Sequence, residues 1–164
     1  MSASSGTPQD RDRYFEDFKP GDRFESTPLM VSEALILEFG RCYDPQVFHT
    51  DPEAAKDTIY GGLIASGLQT IALTFKLFLE TGCLGGSSLG SPGLDEIRWK
   101  APVRPDDTLL VVAEVLETRA STSKPDRGIV RIRYTTVNQR GETVMTLIGN
   151  QLLRRRCSAG RTAQ

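Results

Sequence analysis

The first run of apolar positions in the chain has the spacing of an α-helix. Apolar side chains recur every three or four residues at Leu35, Ile36, Phe39 and Tyr43. Ser32 precedes them as a suitable N-cap, and Glu33 places an acidic side chain in the first turn, where the helix dipole favours it. The pattern therefore predicts one amphipathic helix over residues 33–43.

A second, longer helix is predicted to begin after Ser66 and to stop at Gly82, a residue type that commonly ends helices. Its broad apolar face is predicted from Leu68, Ile71, Ala72, Phe75, Phe78 and Leu79. Because few positions between them are polar, we expect this helix to be buried on most sides.

The apolar period changes to two after a glycine-rich stretch at residues 82–93, whose composition predicts a loop without helix or strand. The segments with strand character are 94–99, 108–116, 129–137 and 144–153, with an earlier one at 24–31. Residues 138–141, with the sequence NQRG, predict a short hairpin turn between the last two strands. One long helix and a five-stranded antiparallel sheet that wraps around it predict an α+β domain.

The composition is that of one soluble globular domain. A chain of 164 residues is long enough to bury roughly 70% of its unfolded surface. Residues 1–10 are small, polar and acidic, which does not indicate a signal peptide, and residues 1–13 are predicted to be a disordered leader. Residues 14–154 are the predicted domain, and residues 155–164 are predicted to be a flexible basic tail. No long apolar run lacks a charge, so no membrane span is expected.

The charge balance argues against several classes of partner. Twenty basic and twenty-one acidic residues leave a formal net charge of −1, so no global field attracts nucleic acid or anionic lipid. The three cysteines are widely spaced and lack a CxxC motif, which argues against a disulfide framework and against a zinc site. We therefore expect a cytoplasmic protein without a metal.

His49 is the only histidine, so any imidazole proton transfer near neutral pH runs through it. Five residues earlier, Asp44 stands where Pro45 ends the first helix, and Pro52 follows three residues after the histidine. Asp51 is expected to cap a short helix that starts at Pro52, which makes residues 45–50 a bent connection. Only such a bend lets Asp44 and His49 converge, as a carboxylate and imidazole pair that can hold and deprotonate water. The structural alternatives are a turn aspartate that binds local amides and a satisfied core histidine.

Small residues lead directly into the long helix, in the sequence GGLIASG at residues 61–67. The first amides of a helix have no internal partners and carry positive potential. The Gly67 N–H is therefore a candidate donor to a thioester carbonyl on which negative charge develops. The alternative is that the small residues only let this segment pack closely against the sheet, and both roles are compatible.

Four segments, in this order, resemble the MaoC-like dehydratases, which include the (R)-specific enoyl-CoA hydratases of the hot dog fold. They are YFEDFKPGD at 14–22, DPQVFH at 44–49, GGLIASG at 61–67 and APVRPDDTL at 101–109. The resemblance covers roughly residues 14–154. It implies a single hot dog domain, in which a curved antiparallel sheet wraps around a long central helix.

The resemblance also implies a reaction and a site. The reaction is the reversible addition of water to a trans-2-enoyl-CoA, which gives a 3-hydroxyacyl-CoA without a metal or redox cofactor. Asp44 and His49 would be the catalytic pair, and Gly67 the oxyanion donor. Ser66 and Gly62 would join Gly67 in binding the substrate. The family further implies a homodimer or a higher homo-oligomer, which agrees with the exposed sheet edges of an isolated domain.

Two positions depart from the family pattern. The hydratase motif usually reads Asp-x-Asn-Pro-x-His, whereas here Gln46 stands at the asparagine position and the proline has moved to Pro45. A Pro-Gln version also occurs among MaoC-like proteins, so the substrate is less certain than the fold. Asp106 replaces a glycine that is usual in the turn before the strand at 108–116, and we expect this to affect the turn and not catalysis.

Two other functions compete with hydration. A hot dog acyl-CoA thioesterase shares the fold and the ligand but directs water at the carbonyl carbon, and it would release free CoA. A non-catalytic acyl-CoA binding module would bind the ligand without turnover. The placement of Asp44 and His49 before the long helix favours hydration, because thioesterases of this fold commonly place their acid elsewhere.

Overall fold

The computed structural model describes residues 13–156. Within them the α-helices are α1 (Glu33–Tyr43), α2 (Val47–Thr50) and α3 (Gly67–Glu80). The strands of this described part are β1 (Arg23–Glu25), β2 (Leu29–Met30), β3 (Leu94–Trp99), β4 (Thr108–Ala120), β5 (Arg127–Val137) and β6 (Thr143–Arg154). Short 3-10 helices lie at Phe15–Asp17, Ala54–Asp57 and Gly85–Ser87. The predicted leader, except Arg13, and the predicted tail beyond Arg156 lie outside the described residues.

The strands form one antiparallel sheet, which confirms the predicted α+β class. The order is β1-β4-β5-β6-β3, and β2 pairs with β4. Side chains alternate between the two faces of the three long strands, and the inner face includes Val111, Ile132 and Leu147, which are 0–1% exposed. β4 extends to Ala120 instead of residue 116 because its polar end still pairs with β5, as far as Gly128.

The early strand predicted at residues 24–31 is two strands, which corrects that prediction. β1 and β2 both pair with β4, but in registers that differ by one residue. Between them the Ser26 N–H donates to the Val111 carbonyl at 3.0 Å, and the Val111 N–H donates to Ser26 Oγ at 3.0 Å. Pro28 has no N–H to donate to the neighbouring strand, so the pairing with β4 is interrupted there and resumes at Leu29.

Helices α1 and α3 occupy the predicted ranges, and the predicted N-cap Ser32 is joined by Ser66, which caps α3. Ser32 Oγ accepts from the Leu35 N–H at 3.2 Å, and Ser66 Oγ accepts from the Leu68 N–H at 3.1 Å. The predicted apolar face of α3 is wrong, however. The fully buried side chains are Gln69, Thr70, Leu73, Thr74, Leu77 and Phe78. Of the predicted face only Phe78 is fully buried, and Leu68 and Leu79 are 56% and 51% exposed.

Polar side chains occupy the buried stripe of α3 because their hydrogen bonds are made locally or across the core. Thr74 Oγ1 donates to the Thr70 carbonyl at 2.8 Å and lies 2.7 Å from Thr136 Oγ1 on β5. Gln69 Nε2 donates to the Leu35 carbonyl of α1 at 2.8 Å. Hydropathy alone places these residues on the outside. The central helix of the prediction is therefore confirmed only in part, since α3 covers the sheet with one stripe and leaves its outer side exposed.

The connection between α1 and α3 differs from the prediction. Residues 45–50 are not a plain link, because residues 47–50 form α2, in which the His49 N–H and Thr50 Oγ1 donate to the Gln46 carbonyl. Asp51 does cap the next turn, and its Oδ1 accepts from the N–H groups of Glu53 and Ala54 at 2.9 and 3.0 Å. The helix after it begins at Ala54 rather than at Pro52 and is 3-10.

Several turns follow from single residues. Residues 138–141 form the predicted hairpin turn, in which the Gly141 N–H donates to the Asn138 carbonyl at 2.9 Å. Asp106 has φ of +66°, the left-handed conformation that glycine adopts most easily, so this position of the turn is one at which a glycine would be less strained. The predicted loop at 82–93 contains one 3-10 turn. No helix within residues 13–156 is both long and apolar enough to cross a membrane.

The two arginines that directly follow β6 form ion pairs with acidic side chains. Arg155 Nε donates to Glu16 Oε1 at 2.8 Å. The Arg156 guanidinium binds both carboxylate oxygens of Asp17, at 2.7 and 2.6 Å. Both acids belong to the 3-10 helix Phe15–Asp17, so these ion pairs attach the first described turn to the end of the last strand.

Candidate active site

Asp44 and His49 converge, as the predicted bend between them implies. Asp44 follows the last residue of α1 in a non-helical conformation (φ −148°, ψ 72°), which turns the chain before Pro45. α2 then brings His49 back, so that its Nε2 lies 3.3 Å from Asp44 Oδ2. His49 is only 4% exposed, and the ring of Phe48 packs edge-on against it at 4.5 Å. The bend thus produces a carboxylate and imidazole pair at the margin of the core.

The orientation of the imidazole follows from its other ring nitrogen. His49 Nδ1 lies 2.8 Å from the Ile64 carbonyl oxygen, which can only accept. Nδ1 therefore carries a proton and donates it to this bond. In the neutral ring, Nε2 then presents its lone pair on the side of Asp44. The backbone of the segment before α3 thus selects the tautomer that can act as a base.

Two side chains hold the Asp44 carboxylate. Ser66 Oγ donates to Oδ2 at 2.7 Å, and Gln46 Nε2 donates to Oδ1 at 2.8 Å. The hydrogen bond from Ser66 is the main reason why the pKa of Asp44 lies below its ordinary value, although partial burial opposes it. The bond from Gln46 and the proximity of His49 lower the pKa further. Asp44 is therefore ionised at neutral pH.

Ser66 and Gly67 bring the first turn of α3 to this pair. The Ser66 hydroxyl donates to Asp44 and also accepts from the Leu68 N–H, so one side chain caps the helix and fixes the carboxylate. Gly67 is the first residue of α3, and no described residue accepts a hydrogen bond from its N–H. This amide is a free donor at the positive end of a helix of fourteen residues.

Gly40 is a supporting residue that sequence reasoning missed. A Cβ at this position of α1 would lie 2.4 Å from the His49 carbonyl oxygen, closer than van der Waals contact permits. The backbone that carries His49 thus rests directly on the helix. The only sequence signal for this contact was the glycine itself. It lowers the helix propensity of α1, and no local feature of the sequence explains its presence.

Trp99, the last position of the strand predicted at residues 94–99, is the second residue whose part at the site was missed. Its Nε1 donates to the Gly67 carbonyl at 3.1 Å. A Cβ at Gly67 would lie 2.7–3.0 Å from three indole atoms, so glycine is also needed here for close packing. The predicted packing role of this glycine is therefore real, while its N–H remains free.

These groups line a cavity of about 590 Å³. Four of the five predicted site residues are in its wall: Asp44, His49, Ser66 and Gly67. Apolar and aromatic side chains form much of the rest, among them Phe48, Tyr60, Ile64, Leu68, Trp99, Pro102 and Val103. Gly62 is not part of the wall. It lies instead beside the guanidinium of Arg104, which donates to the Tyr60 carbonyl at 2.7 Å, and its contact with substrate stays a prediction.

Within residues 13–156, no three His, Cys, Asp or Glu side chains come close enough to hold a metal ion. What the site does present is a carboxylate beside an imidazole base, together with a free backbone N–H across an apolar cavity. This set can hold a water through two acceptors and stabilise negative charge on a carbonyl oxygen.

Residues 17–138 match the family described as MaoC like domain. The uncharacterised protein YdeM of Bacillus subtilis is 34% identical over 125 residues, which are 76% of this chain and 87% of YdeM. The crystal structure of a MaoC-like dehydratase from Rhodospirillum rubrum is 39% identical, with a TM-score of 0.80 over 88% of this chain and 99% of that one. An (R)-hydratase from A. caviae involved in PHA biosynthesis is 22% identical, with a TM-score of 0.67 over 83% of this chain and 97% of that one, and shows the fold alone.

The fold and its neighbours define a hot dog domain. The chain belongs to the MaoC-like domain family. Both conclusions confirm what the four sequence segments implied.

Proposed function

We propose that this protein is an acyl-CoA hydratase and dehydratase, which reversibly adds water to a trans-2-enoyl-CoA and forms a 3-hydroxyacyl-CoA. The observation that carries the proposal is the 3.3 Å approach of His49 Nε2 to Asp44 Oδ2 in the wall of an apolar cavity. The free N–H of Gly67 in the same wall supports it. So does the similarity of the fold to an (R)-hydratase.

In this mechanism Asp44 and His49 share one substrate water as two acceptors. The water loses a proton to the pair and its oxygen bonds to C3, while the C2–C3 double-bond electrons move toward the carbonyl. Gly67 N–H stabilises the negative charge that develops on the carbonyl oxygen. The pair then returns a proton to C2, so the net change is the addition of one water. Dehydration follows the same steps in reverse.

The coenzyme A in this proposal is part of the substrate, and the reaction as written requires no metal or redox cofactor. Elimination and addition next to a thioester carbonyl need a base, an acid and a group that stabilises the enolate. Asp44, His49 and Gly67 supply these three functions.

We also propose that the protein works as a homodimer. β3 is an edge strand of the described sheet, with one side of its backbone unpaired. Leu68 and Leu79 of α3 are more than half exposed, so a second copy of the chain that covers them would remove apolar surface from water. Sedimentation equilibrium across a range of protein concentrations measures the mass directly, and a monomer at every concentration would contradict the proposal.

The hydration of crotonyl-CoA, followed through the loss of enoyl-thioester absorbance, tests the reaction. We expect the native protein to turn over and Asp44→Asn or His49→Gln to lose about a hundredfold or more in rate, as is typical when a general acid or base is removed. Asp51→Asn is the matched control, because it makes the same chemical change in the same connection but outside the cavity wall. It should retain the native rate.

The products separate the competing functions. A protein that is inert on crotonyl-CoA and on longer or branched enoyl-CoAs, but that releases free CoA from acyl-CoAs, is a thioesterase. A protein that binds acyl-CoA and turns over neither substrate is a binding module. Either result would overturn the hydratase proposal, whereas formation of 3-hydroxyacyl-CoA would support it.

A further inference from the structure

The first turn of α3 is held by a side chain that comes from the sheet. Trp99 is the last residue of β3, and its backbone is fixed by pairing with Met145 of β6. The next residue, Lys100, is held in the same way through its N–H, which donates to the Val144 carbonyl at 2.9 Å. The indole thus extends from a rigid point of the sheet to Gly67, thirty-two positions earlier in the chain.

Two kinds of contact join the indole to Gly67. The Nε1–H donates to the Gly67 carbonyl at 3.1 Å. The ring also occupies the space that a Cβ at residue 67 would need, with Cε2, Nε1 and Cζ2 at 2.7, 2.8 and 3.0 Å from that point. The hydrogen bond and the packed ring together restrict the rotation of the backbone at Gly67.

The residue restricted in this way, Gly67, carries the N–H that we propose as the oxyanion donor. Donors to a developing oxyanion work because they are aligned before the charge appears, and the tolerance is about 0.5 Å. Ser66 fixes the helix start on the side of Asp44, through its bonds to the carboxylate and to the Leu68 N–H. Trp99 fixes it on the side of the sheet.

We propose that Trp99 is a positioning residue for the Gly67 oxyanion donor and that its exposed ring surface is a wall of the thioester pocket. The inference rests on the proposed function and adds a residue to that site. It accounts for a half-exposed tryptophan, 53% accessible, whose polar atom is already paired. It also explains why the donor residue is a glycine on steric grounds.

The carbonyl stretching frequency of a bound thioester measures the alignment of the donor directly. Butyryl-CoA labelled with 13C at the carbonyl is a suitable probe because it lacks a double bond and undergoes no hydration. Isotope-edited infrared spectra should show a lower frequency for the probe bound to the native protein than for the free probe. In Trp99→Phe, which keeps a ring but loses the N–H, the frequency should move back toward the free value.

The changes in kcat should parallel the changes in the carbonyl stretching frequency. Trp99→Phe is expected to lower kcat for crotonyl-CoA hydration about tenfold, which corresponds to a small misalignment of one donor, with KM changed much less. Trp99→Leu, which removes the ring as well, should lower kcat further and raise KM. Arg98→Ala is the matched control, because it changes the neighbouring residue of β3 outside the cavity wall. It should leave both the frequency and kcat at native values.

Trp99 is the only tryptophan in the chain, so its fluorescence reports on the pocket without further labelling. Binding of butyryl-pantetheine, which lacks the absorbing adenine, should shift the emission to shorter wavelength and protect it from acrylamide. Emission and quenching that do not change on saturation would overturn the assignment of the ring as a pocket wall.

The outcomes distinguish this inference from the proposed function. A native protein that lowers the carbonyl frequency and hydrates crotonyl-CoA, together with a Trp99→Phe variant that does both equally well, would overturn the positioning role alone. A native protein that neither polarises the probe nor hydrates crotonyl-CoA would overturn the proposed function and this inference with it. Circular dichroism of each variant confirms that its fold is intact.

Discussion

The sheet and the connection between α1 and α3 are built in different ways. In β4, β5 and β6, each strand has eleven to thirteen residues, and its position follows from backbone pairing and alternating burial. In the connection, α2 has four residues, and its place is set by contacts with distant segments. His49 Nδ1 donates to the Ile64 carbonyl, the Ile64 N–H donates to the Phe48 carbonyl, and the Ala65 N–H donates to Val103.

This difference separates stability from activity. A residue of the sheet contributes through the apolar area that it buries, so its loss should lower the free energy of unfolding and leave the site geometry alone. A residue of the connection positions a reacting group, and a displacement of about 1 Å can cost a hundredfold in rate. Substitutions in the two regions should therefore change different measurements.

The largest effect on stability is expected in the sheet. Ile132 of β5 is 0% exposed, and Ile132→Ala should lower the free energy of unfolding by about 2–5 kcal/mol, because transfer and cavity terms add. Urea unfolding measures the loss, and kcat per folded molecule should stay native at low temperature. Arg133→Ala, on the exposed face one residue later, should change stability by no more than about 0.5 kcal/mol. A large drop in kcat for Ile132→Ala would break the comparison.

The next effect is expected where α1 touches the connection. Gly40→Ala should raise helix propensity by about 1 kcal/mol. The new Cβ would nevertheless overlap the His49 carbonyl oxygen, and such overpacking costs about 1–3 kcal/mol. Because His49 must move, we expect kcat to fall about tenfold to a hundredfold. Arg41→Ala, on the exposed side of the same helix, should be neutral. A Gly40→Ala variant that is more stable and fully active would show that the connection can shift to accommodate the new Cβ without loss of rate, which would contradict the prediction.

The same difference explains what the sequence predicted well. α1, α3, the long strands and the hairpin turn at residues 138–141 were predicted near their observed bounds, because a local period or turn composition specifies each of them. The convergence of Asp44 and His49 was predicted because two prolines bracket the bend. The four-segment resemblance identified the family as well.

The failures share a physical cause. The buried stripe of α3 was placed on the wrong side because Thr74 satisfies its hydroxyl inside the core, through Thr70 and Thr136, which hydropathy does not register. The early strand was predicted whole because its split depends on a bond between Ser26 and Val111. Gly40 was missed because its need arises only in three dimensions. These three features depend on partners at least nine positions away along the chain, except for the bond from Thr74 to Thr70.

The smallest predicted effect tests Ser66, which has both a structural role and a role at the site. Ser66 caps α3 and is the first cause of the lowered pKa of Asp44. Ser66→Ala should lose about 1 kcal/mol of stability through the cap. It should also raise the pKa of Asp44 toward its ordinary value, 3.8, which a 13C NMR titration of the Asp44 carboxyl carbon measures. Ser66→Thr keeps the hydroxyl and should restore both quantities.

The sign of the pH effect follows from the direction of this shift. A carboxylate with a lowered pKa in the folded protein stabilises the fold above its unfolded pKa and loses that contribution as pH falls through the folded pKa. Native protein should therefore keep the Asp44 contribution to a lower pH than Ser66→Ala does. If Ser66→Ala loses the expected stability but leaves the titration of Asp44 unchanged, the role of Ser66 is limited to capping the helix. A shifted titration would instead show that the connection uses one hydroxyl for a structural and a chemical task, whereas buried residues of β4, β5 and β6 such as Ile132 perform only the first.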